Sequence, residues 1–339
     1  MCCNTHGVFA VQYLKQHNKT VMTVKHFRLL FQLSVVSTIV AITLVIFHDQ
    51  LRSTRTTFSS GGHLKGGSRQ DSIEKMCKEM GLTSDRATNA YKRIIVNHRY
   101  NVLYCESPKV ATTSLKRVFL ILSGKLNAST ALKLSQYDVQ HGYKKYLTYL
   151  SDLQPEEIDT VMKTYYKFVF VREPFERLIS AYRDKLSVAA SDEIFSAFGR
   201  SIVRKYRKIA HDEGREKDPH PSFFEFLQYI VETKEDDLNE HWHLQEDLCQ
   251  VCHIKYDLIG KYEELETAAK MILEHIGAPS DVHLPASYPH EKSSSLLRHH
   301  YQDIPPFFLE GVWRKYYPDL QLFNYTVPSA IRNLITVLN

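Results

Sequence analysis

Twice in this chain a short apolar run stops at a cationic loop and gives way to a helical pattern. In the first unit Val102, Leu103 and Tyr104 lead into the stretch from Cys105 to Ser114. Leu115, Val118, Phe119 and Leu122 then follow at helical spacing. In the second, Phe168 to Val171 reads as a buried strand and Arg172 closes it. Pro174 suits a first helical turn, and Leu178, Ile179 and Tyr182 continue the helix. Alternating strand–helix units of this kind favour an α/β domain with a largely parallel sheet flanked by helices. In open sheets of that class ligands bind beyond the carboxyl ends of the strands, so both loops are expected on one edge.

The first loop has the chemistry of an anion site. The free N–H groups at a helix start, the helix dipole and the ammonium of Lys109 all favour phosphate or sulfate. A P-loop of the G-x-x-x-x-G-K-[ST] type is excluded, because Lys109 follows Pro108 at the start of the turn and the loop has no glycine.

Together the two segments resemble the phosphosulfate-binding motifs of sulfotransferases, which use 3′-phosphoadenosine 5′-phosphosulfate (PAPS). The version here is similar to that of the Golgi carbohydrate sulfotransferases, related to the HNK-1 sulfotransferase, and most similar to their chondroitin 4-O-sulfotransferase branch. The blocks that carry the resemblance are Pro-Lys-Val-Ala at 108–111, Phe-Val-Arg-Glu-Pro-Phe-Glu-Arg-Leu at 170–178 and Asn-Glu-His-Trp at 239–242. Two more lie at 252–263 and 322–329. The resemblance spans roughly residues 100–330, in order. It implies a P-loop-NTPase-like sulfotransferase fold.

It also implies roles for single residues. Lys109, Val110, Ala111, Thr112, Thr113 and Ser114 would hold the 5′-phosphosulfate, with Lys109 stabilising the leaving group. Arg172 and Ser180 would hold the 3′-phosphate, and Tyr262 would approach the adenine. The acceptor's proton needs a base, for which His241 is the first choice and Glu240 the alternative, since imidazole titrates near neutral pH. No metal is required. One departure is visible: the related branch has Cys, Thr, Asn and Trp where this chain has Thr112, Thr113, Ser114 and Leu115.

Residues Leu29 to Phe47 are 19 consecutive uncharged positions rich in Leu, Val and Ile. At about 1.5 Å per residue that run just crosses a bilayer core. Lys15, Lys19, Lys25 and Arg28 precede it, and no Asp or Glu occurs before Asp49. The positive-inside rule then keeps the N-terminus cytoplasmic. The expected organisation is a cytoplasmic tail over 1–28, a signal-anchor over 29–47, a Ser/Thr/Gly-rich lumenal stem over 48–90 and a catalytic domain over 91–339. This describes a single-pass type II protein of the Golgi membrane.

The net charge of +5 comes mostly from the tail, which leaves 39 basic against 38 acidic side chains beyond residue 48. Nothing global suggests nucleic-acid binding, so a polyanion needs a local patch. Arg200, Arg204 and Lys208 share one helical face, next to Lys205 and Arg207, and are the expected docking stripe for a glycosaminoglycan acceptor. Cys77, Cys105, Cys249 and Cys252 fall in the disulfide-permissive part and allow three pairings; Cys249-x-x-Cys252 is a poor zinc motif. Asn127 and Asn324 head N-glycosylation sequons.

The expected reaction is sulfate transfer from PAPS to a carbohydrate hydroxyl, foremost position 4 of N-acetylgalactosamine in chondroitin. Dermatan, N-glycan GalNAc and terminal glucuronic acid are the alternative acceptors. A membrane-anchored glycan-binding protein without catalysis is the rival class. It has no use for Lys109, Arg172 and Ser180.

Overall fold

Strands β1 (Ile94–Asn97), β2 (Val102–Cys105), β3 (Thr148–Tyr149), β4 (Tyr166–Val171) and β5 (Leu258–Lys261) form one sheet in the order β3-β1-β2-β4-β5. The structure is a computed structural model that describes residues 66–82, 87–187, 194–207, 218–285 and 292–335. The expected tail, membrane span and most of the stem lie outside the described residues, as does Lys208. Among the described residues no helix is long and apolar enough to cross a membrane.

Strands β2, β4 and β5 are parallel, with Cys105 paired to Val169 and Val171 to Lys261. Parallel strands are covered on both faces, so they read as unbroken apolar runs. The other half of the sheet departs from the expectation of a largely parallel array: β1 is antiparallel to both β2 and β3. A short turn joins β1 to β2, with Asn101 in the left-handed region (φ 49°) and the Asn97 side chain accepting from the Tyr100 N–H at 3.1 Å. Such a turn makes a hairpin with no crossover helix, and strand–helix alternation cannot signal it.

Helices α1 (Gly66–Glu79), α2 (Thr112–Leu122), α3 (Pro155–Thr164), α4 (Pro174–Lys185), α5 (Arg200–Tyr206), α6 (Phe223–Glu232), α7 (Gln245–Cys249) and α8 (Leu265–His275) surround the sheet. Side chains alternate across it. Val102, Tyr104, Phe168 and Phe170 meet Leu115 and Phe119 of α2 and Ala269 and Ile272 of α8. Leu103, Cys105, Val169 and Val171 face Val161 of α3 and Ile73 of α1. Gly260 is required by this packing, since a Cβ there would lie 2.5 Å from the Phe170 ring.

The core continues upstream of Tyr91, into a segment expected as stem. Ile73, Cys77 and Ala90 are buried with the sheet. The disulfides are Cys77–Cys252 and Cys105–Cys249. Both cysteines of the Cys-x-x-Cys pair are thus committed to sulfur rather than to metal. A third cluster, centred on the fully buried Trp242, packs α4 and α6 against the C-terminal helices.

Candidate active site

The first loop leaves β2 at Cys105 and enters α2 at Thr112. Lys109 (φ 72°) and Ala111 (φ 54°) both adopt the left-handed conformation, which costs a non-glycine residue about 1–2 kcal/mol. Alternation of this kind turns successive N–H groups toward one concavity, a nest for anions. Helix α2 has no side-chain cap and no acid in its first turn. The N–H groups of Thr112, Thr113 and Ser114 therefore lack an intrahelical acceptor. Thr112 Oγ1 donates to the Ser107 carbonyl at 2.7 Å, and Thr113 Oγ1 accepts from Gln140 Nε2 at 3.2 Å.

Two residues of this loop face inward. Val110 is fully buried against the sheet, so only its backbone is available to a ligand. Leu115, where the resemblance led to the expectation of an aromatic, packs with Val118, Phe119 and Phe168 in the core.

Lys109 Nζ lies 2.7 Å from Asp184 Oδ2, and Lys185 Nζ is 3.3 Å from the same oxygen. Burial drives the Lys109 ammonium below its ordinary value, against the pull of Asp184. On Asp184 burial pushes the carboxyl up, but the two lysines outweigh it and hold it low.

Arg172 closes β4 and is 5% exposed. Its backbone is clamped by Gln245, whose side chain accepts from the Arg172 N–H and donates to the Arg172 carbonyl, both at 2.8 Å. Fully buried Asp319 holds Gln245 in turn, accepting from the N–H groups of Gln245 and Glu246 at 2.9 Å. The guanidinium sits 4.3 Å from the Tyr262 ring centre and donates to the Lys109 carbonyl at 3.3 Å. Its ion pair with Glu176 is slack, at 3.4 Å. Ser180 is half-buried on α4, one turn before Asp184.

Arg177, on the same helix, is 1% exposed and joins the two halves of the site. It donates to the carbonyl of Pro108 in the first loop at 3.0 Å. Two further bonds reach the carbonyls of His243 at 2.6 Å and Glu240 at 3.1 Å. Trp242 anchors that second segment in the core.

Asn239 Oδ1 accepts from both the His241 backbone N–H (3.0 Å) and the ring Nδ1 (2.8 Å). The backbone donor fixes that atom as oxygen, so Nδ1 carries the hydrogen and Nε2 keeps its lone pair. Burial, with the positive charge of Lys185 and then Lys109, takes His241 down to about 3. Arg177 ties the Glu240 carbonyl to the Pro108 carbonyl, and so brings the segment of His241 beside that of Lys109. Glu240 is engaged otherwise: Arg93 Nη2 lies 2.6 Å from its carboxylate. Burial pushes Glu240 up, and Arg93 outweighs it and keeps the carboxyl low.

Lys109, Arg172, Tyr262 and His241 are thus gathered at one edge of the sheet. Among the described residues no hydrogen bond or ion pair ties Arg200 or Arg204 of the expected docking stripe to them. Arg200 and Arg204 are exposed on α5, and Lys205 pairs with Glu232 at 3.2 Å. Arg207 is taken up by Glu225 at 2.9 Å and by the carbonyls of Asp218 and His220. Arg177, Asp184, Gln245 and Asp319 were missed. Only Arg177 left a signal, as a charge set on the apolar face that Phe175, Leu178 and Ile179 define.

Residues 92–326 match the sulfotransferase family model. The chain belongs to that family. It is 36% identical to carbohydrate sulfotransferase 14 of Mus musculus over 274 residues, covering 78% of this chain and 70% of that one. To the Danio rerio protein of the same name it is 39% identical, covering 70% and 64%. To carbohydrate sulfotransferase 11 of Mus musculus it is 31% identical, covering 78% and 77%. No solved structure matches. These relatives establish a member of the carbohydrate sulfotransferase family, and the family implies PAPS as donor.

The site fits an anionic donor on its own terms. Arg172 Nε and Ser107 Oγ are buried polar atoms with no hydrogen-bond partner among the described residues, and they flank the uncapped start of α2. Unmet polar groups of this kind mark a place where a ligand completes the bonding. Both sequon asparagines, Asn127 and Asn324, are exposed.

Proposed function

We propose that this chain transfers sulfate from PAPS to the 4-hydroxyl of N-acetylgalactosamine in chondroitin, as a single-pass type II protein of the Golgi membrane. One observation carries the reaction: a loop cation, a strand-end arginine and an imidazole with an open Nε2 share one edge of the sheet. The acceptor is supported by the likeness of residues 239–242, 252–263 and 322–329 to the chondroitin 4-O branch. The membrane setting is supported by the apolar run Leu29–Phe47 and its basic lead.

PAPS supplies an activated sulfuryl group and a bisphosphate leaving group. The amides of Thr112, Thr113 and Ser114 and the Lys109 ammonium are assigned to its 5′ end, where negative charge grows as the bond breaks. Arg172 and Ser180 are assigned to the 3′-phosphate, and Tyr262 to the base. His241 Nε2 is assigned to take the proton of the attacking hydroxyl, with Asn239 fixing the ring.

The pH dependence follows from the charges around His241. Burial and two lysines depress it in the free protein, so it is unprotonated above about pH 3. An anion bound beside Lys109 offsets those charges and raises it. The acid limb of kcat should therefore lie at higher pH than the acid limb of kcat/KM for the donor. Coincident limbs, or the same profile in His241→Gln, would remove His241 as the base.

Glu176 competes with phosphate for Arg172. Burial pushes its carboxyl up, Arg172 pulls it down, and the 3.4 Å separation leaves the guanidinium loosely held. Glu176→Gln should tighten adenosine 3′,5′-bisphosphate binding about threefold to tenfold by removing that competition. Calorimetric titration reads it; weaker binding would show that Glu176 orients Arg172 instead.

The deciding experiment gives the full chain radiolabelled PAPS with desulfated chondroitin, dermatan and heparosan, and digests the products to disaccharides. Label at the GalNAc 4-position is expected. Label elsewhere discards the acceptor and keeps the reaction. No label, with no retention on immobilised bisphosphate, discards both.

A further inference from the structure

Between Ser107 and Ser151 the sequence carries seven basic residues and one acid, Asp138. Beyond residue 48 the chain as a whole is nearly balanced, so this run is a strong local excess. Three of the seven face inward. Lys109 pairs with Asp184, Lys116 with Glu106 at 2.6 Å, and buried Arg117 donates to the Leu134 carbonyl. The other four, Lys125, Lys133, Lys144 and Lys145, are exposed and in no ion pair among the described residues. Asp138, whose carboxylate accepts from the Ser135 hydroxyl at 2.6 Å, offsets one of these four charges.

Aromatic rings are interleaved with these charges. Tyr137 is 72% exposed, and its ring lies 4.7 Å from that of exposed His141. Tyr146 is 39% exposed, with Lys145 Nζ 5.2 Å above it and the Tyr143 ring 5.7 Å away. Lys144 Nζ stands 5.4 Å from the Tyr149 ring. Exposed tyrosines are costly to leave in water and mark places where a partner of mixed character docks.

The patch is physically continuous with the donor loop. Gln140, inside the same turn as Tyr137 and His141, donates to Thr113 Oγ1 at 3.2 Å and accepts from Lys116 at 2.8 Å. Thr113 lies in the first turn of α2. What binds along residues 133–146 is thereby led to the transfer edge.

We infer that Lys133, Tyr137, His141, Lys144, Lys145 and Tyr146 form the docking surface for an anionic, uronate-containing polysaccharide acceptor. The inference rests on the proposed sulfate transfer and adds where its acceptor lies. The lysines meet carboxylates, and the open tyrosine face takes the apolar C–H face of a pyranose ring. Stacked bases and lipid interfaces also engage exposed rings; the family's carbohydrate acceptor is what favours the polysaccharide.

The test compares the full wild-type chain with the triple variant Tyr137→Ala/Lys144→Ala/Lys145→Ala, all at exposed positions. KM for polymeric chondroitin should rise about tenfold or more, the sum of modest exposed interactions. KM for PAPS should stay constant, and the variant should elute from immobilised chondroitin at lower salt without donor present. A parallel Arg200→Ala/Arg204→Ala variant should leave acceptor KM within about twofold. Unchanged acceptor KM in the triple variant, with wild type active, overturns the surface and leaves the transfer reading standing. A wild type that sulfates no glycan removes the transfer reading itself, and the inference with it. Loss of binding to phosphatidylserine vesicles with unchanged chondroitin KM assigns the patch to membrane and overturns it too.

Discussion

Lys109→Ala should lower kcat for sulfate transfer by about a hundredfold to a thousandfold, the loss seen when one donor to a developing oxyanion is removed. The ammonium is well suited to the task because it is held, not free. Asp184 fixes it at 2.7 Å, the left-handed backbone at residue 109 aims it, and burial lowers the dielectric around it. The fold should survive, since Asp184 keeps Lys185 at 3.3 Å when Lys109 is gone. Binding of adenosine 3′,5′-bisphosphate should weaken far less than kcat, because Arg172 remains. The comparison to make is kcat at saturating PAPS beside the calorimetric Kd of the bisphosphate. A kcat within tenfold of wild type would end the claim that Lys109 stabilises the leaving group.

Arg177→Leu should be the most damaging single change to the protein itself. The guanidinium is buried, which brings it down to about 10 and leaves it charged at neutral pH. Its three carbonyl partners lie in two separate segments, and leucine leaves all of them unmet. Removing a buried charged donor costs about 3–5 kcal/mol, which for a domain of this size lowers Tm by roughly 10 °C. Transfer should also fall in the fraction that stays folded, since Pro108 and Glu240 lose their common tie. Thermal melts followed by circular dichroism, with activity assayed well below Tm, read both effects. A Tm within about 3 °C of wild type would show that other bonds hold the two segments together.

Much of this site could be read before the fold was known, for a definite reason. Lys109, Arg172 and Tyr262 each follow a short apolar strand, and the parallel register of β2, β4 and β5 brings those strand ends together. The hairpin from β1 to β2 was not legible, because it depends on one turn at Asn101 rather than on periodicity. Val110 was expected at the ligand; its side chain lies under the loop and only its backbone is left for that role, since side-chain direction in such a turn has no sequence signal. Gln245 and Asp319, which clamp Arg172, are 73 and 74 residues from the groups they bind, beyond the reach of any local pattern. The stripe at Arg200 and Arg204 is legible as one exposed helical face. The exposed basic run nearer the donor loop was broken into loops and short turns, where helical spacing does not show it.

The two disulfides have a practical outcome for anyone dividing the chain. They are nested, the 105–249 pair lying within the span of 77–252, and their distal halves are three positions apart. A secreted fragment that begins at Tyr91 omits Cys77 and leaves Cys252 as a lone thiol beside Cys249. A thiolate so placed can attack the neighbouring disulfide and release Cys105, the residue from which the donor loop departs. A fragment that begins at Asp71 keeps Cys77 and so keeps the thiol out of circulation, which makes the short upstream helix a guard on redox fidelity rather than a dispensable spacer.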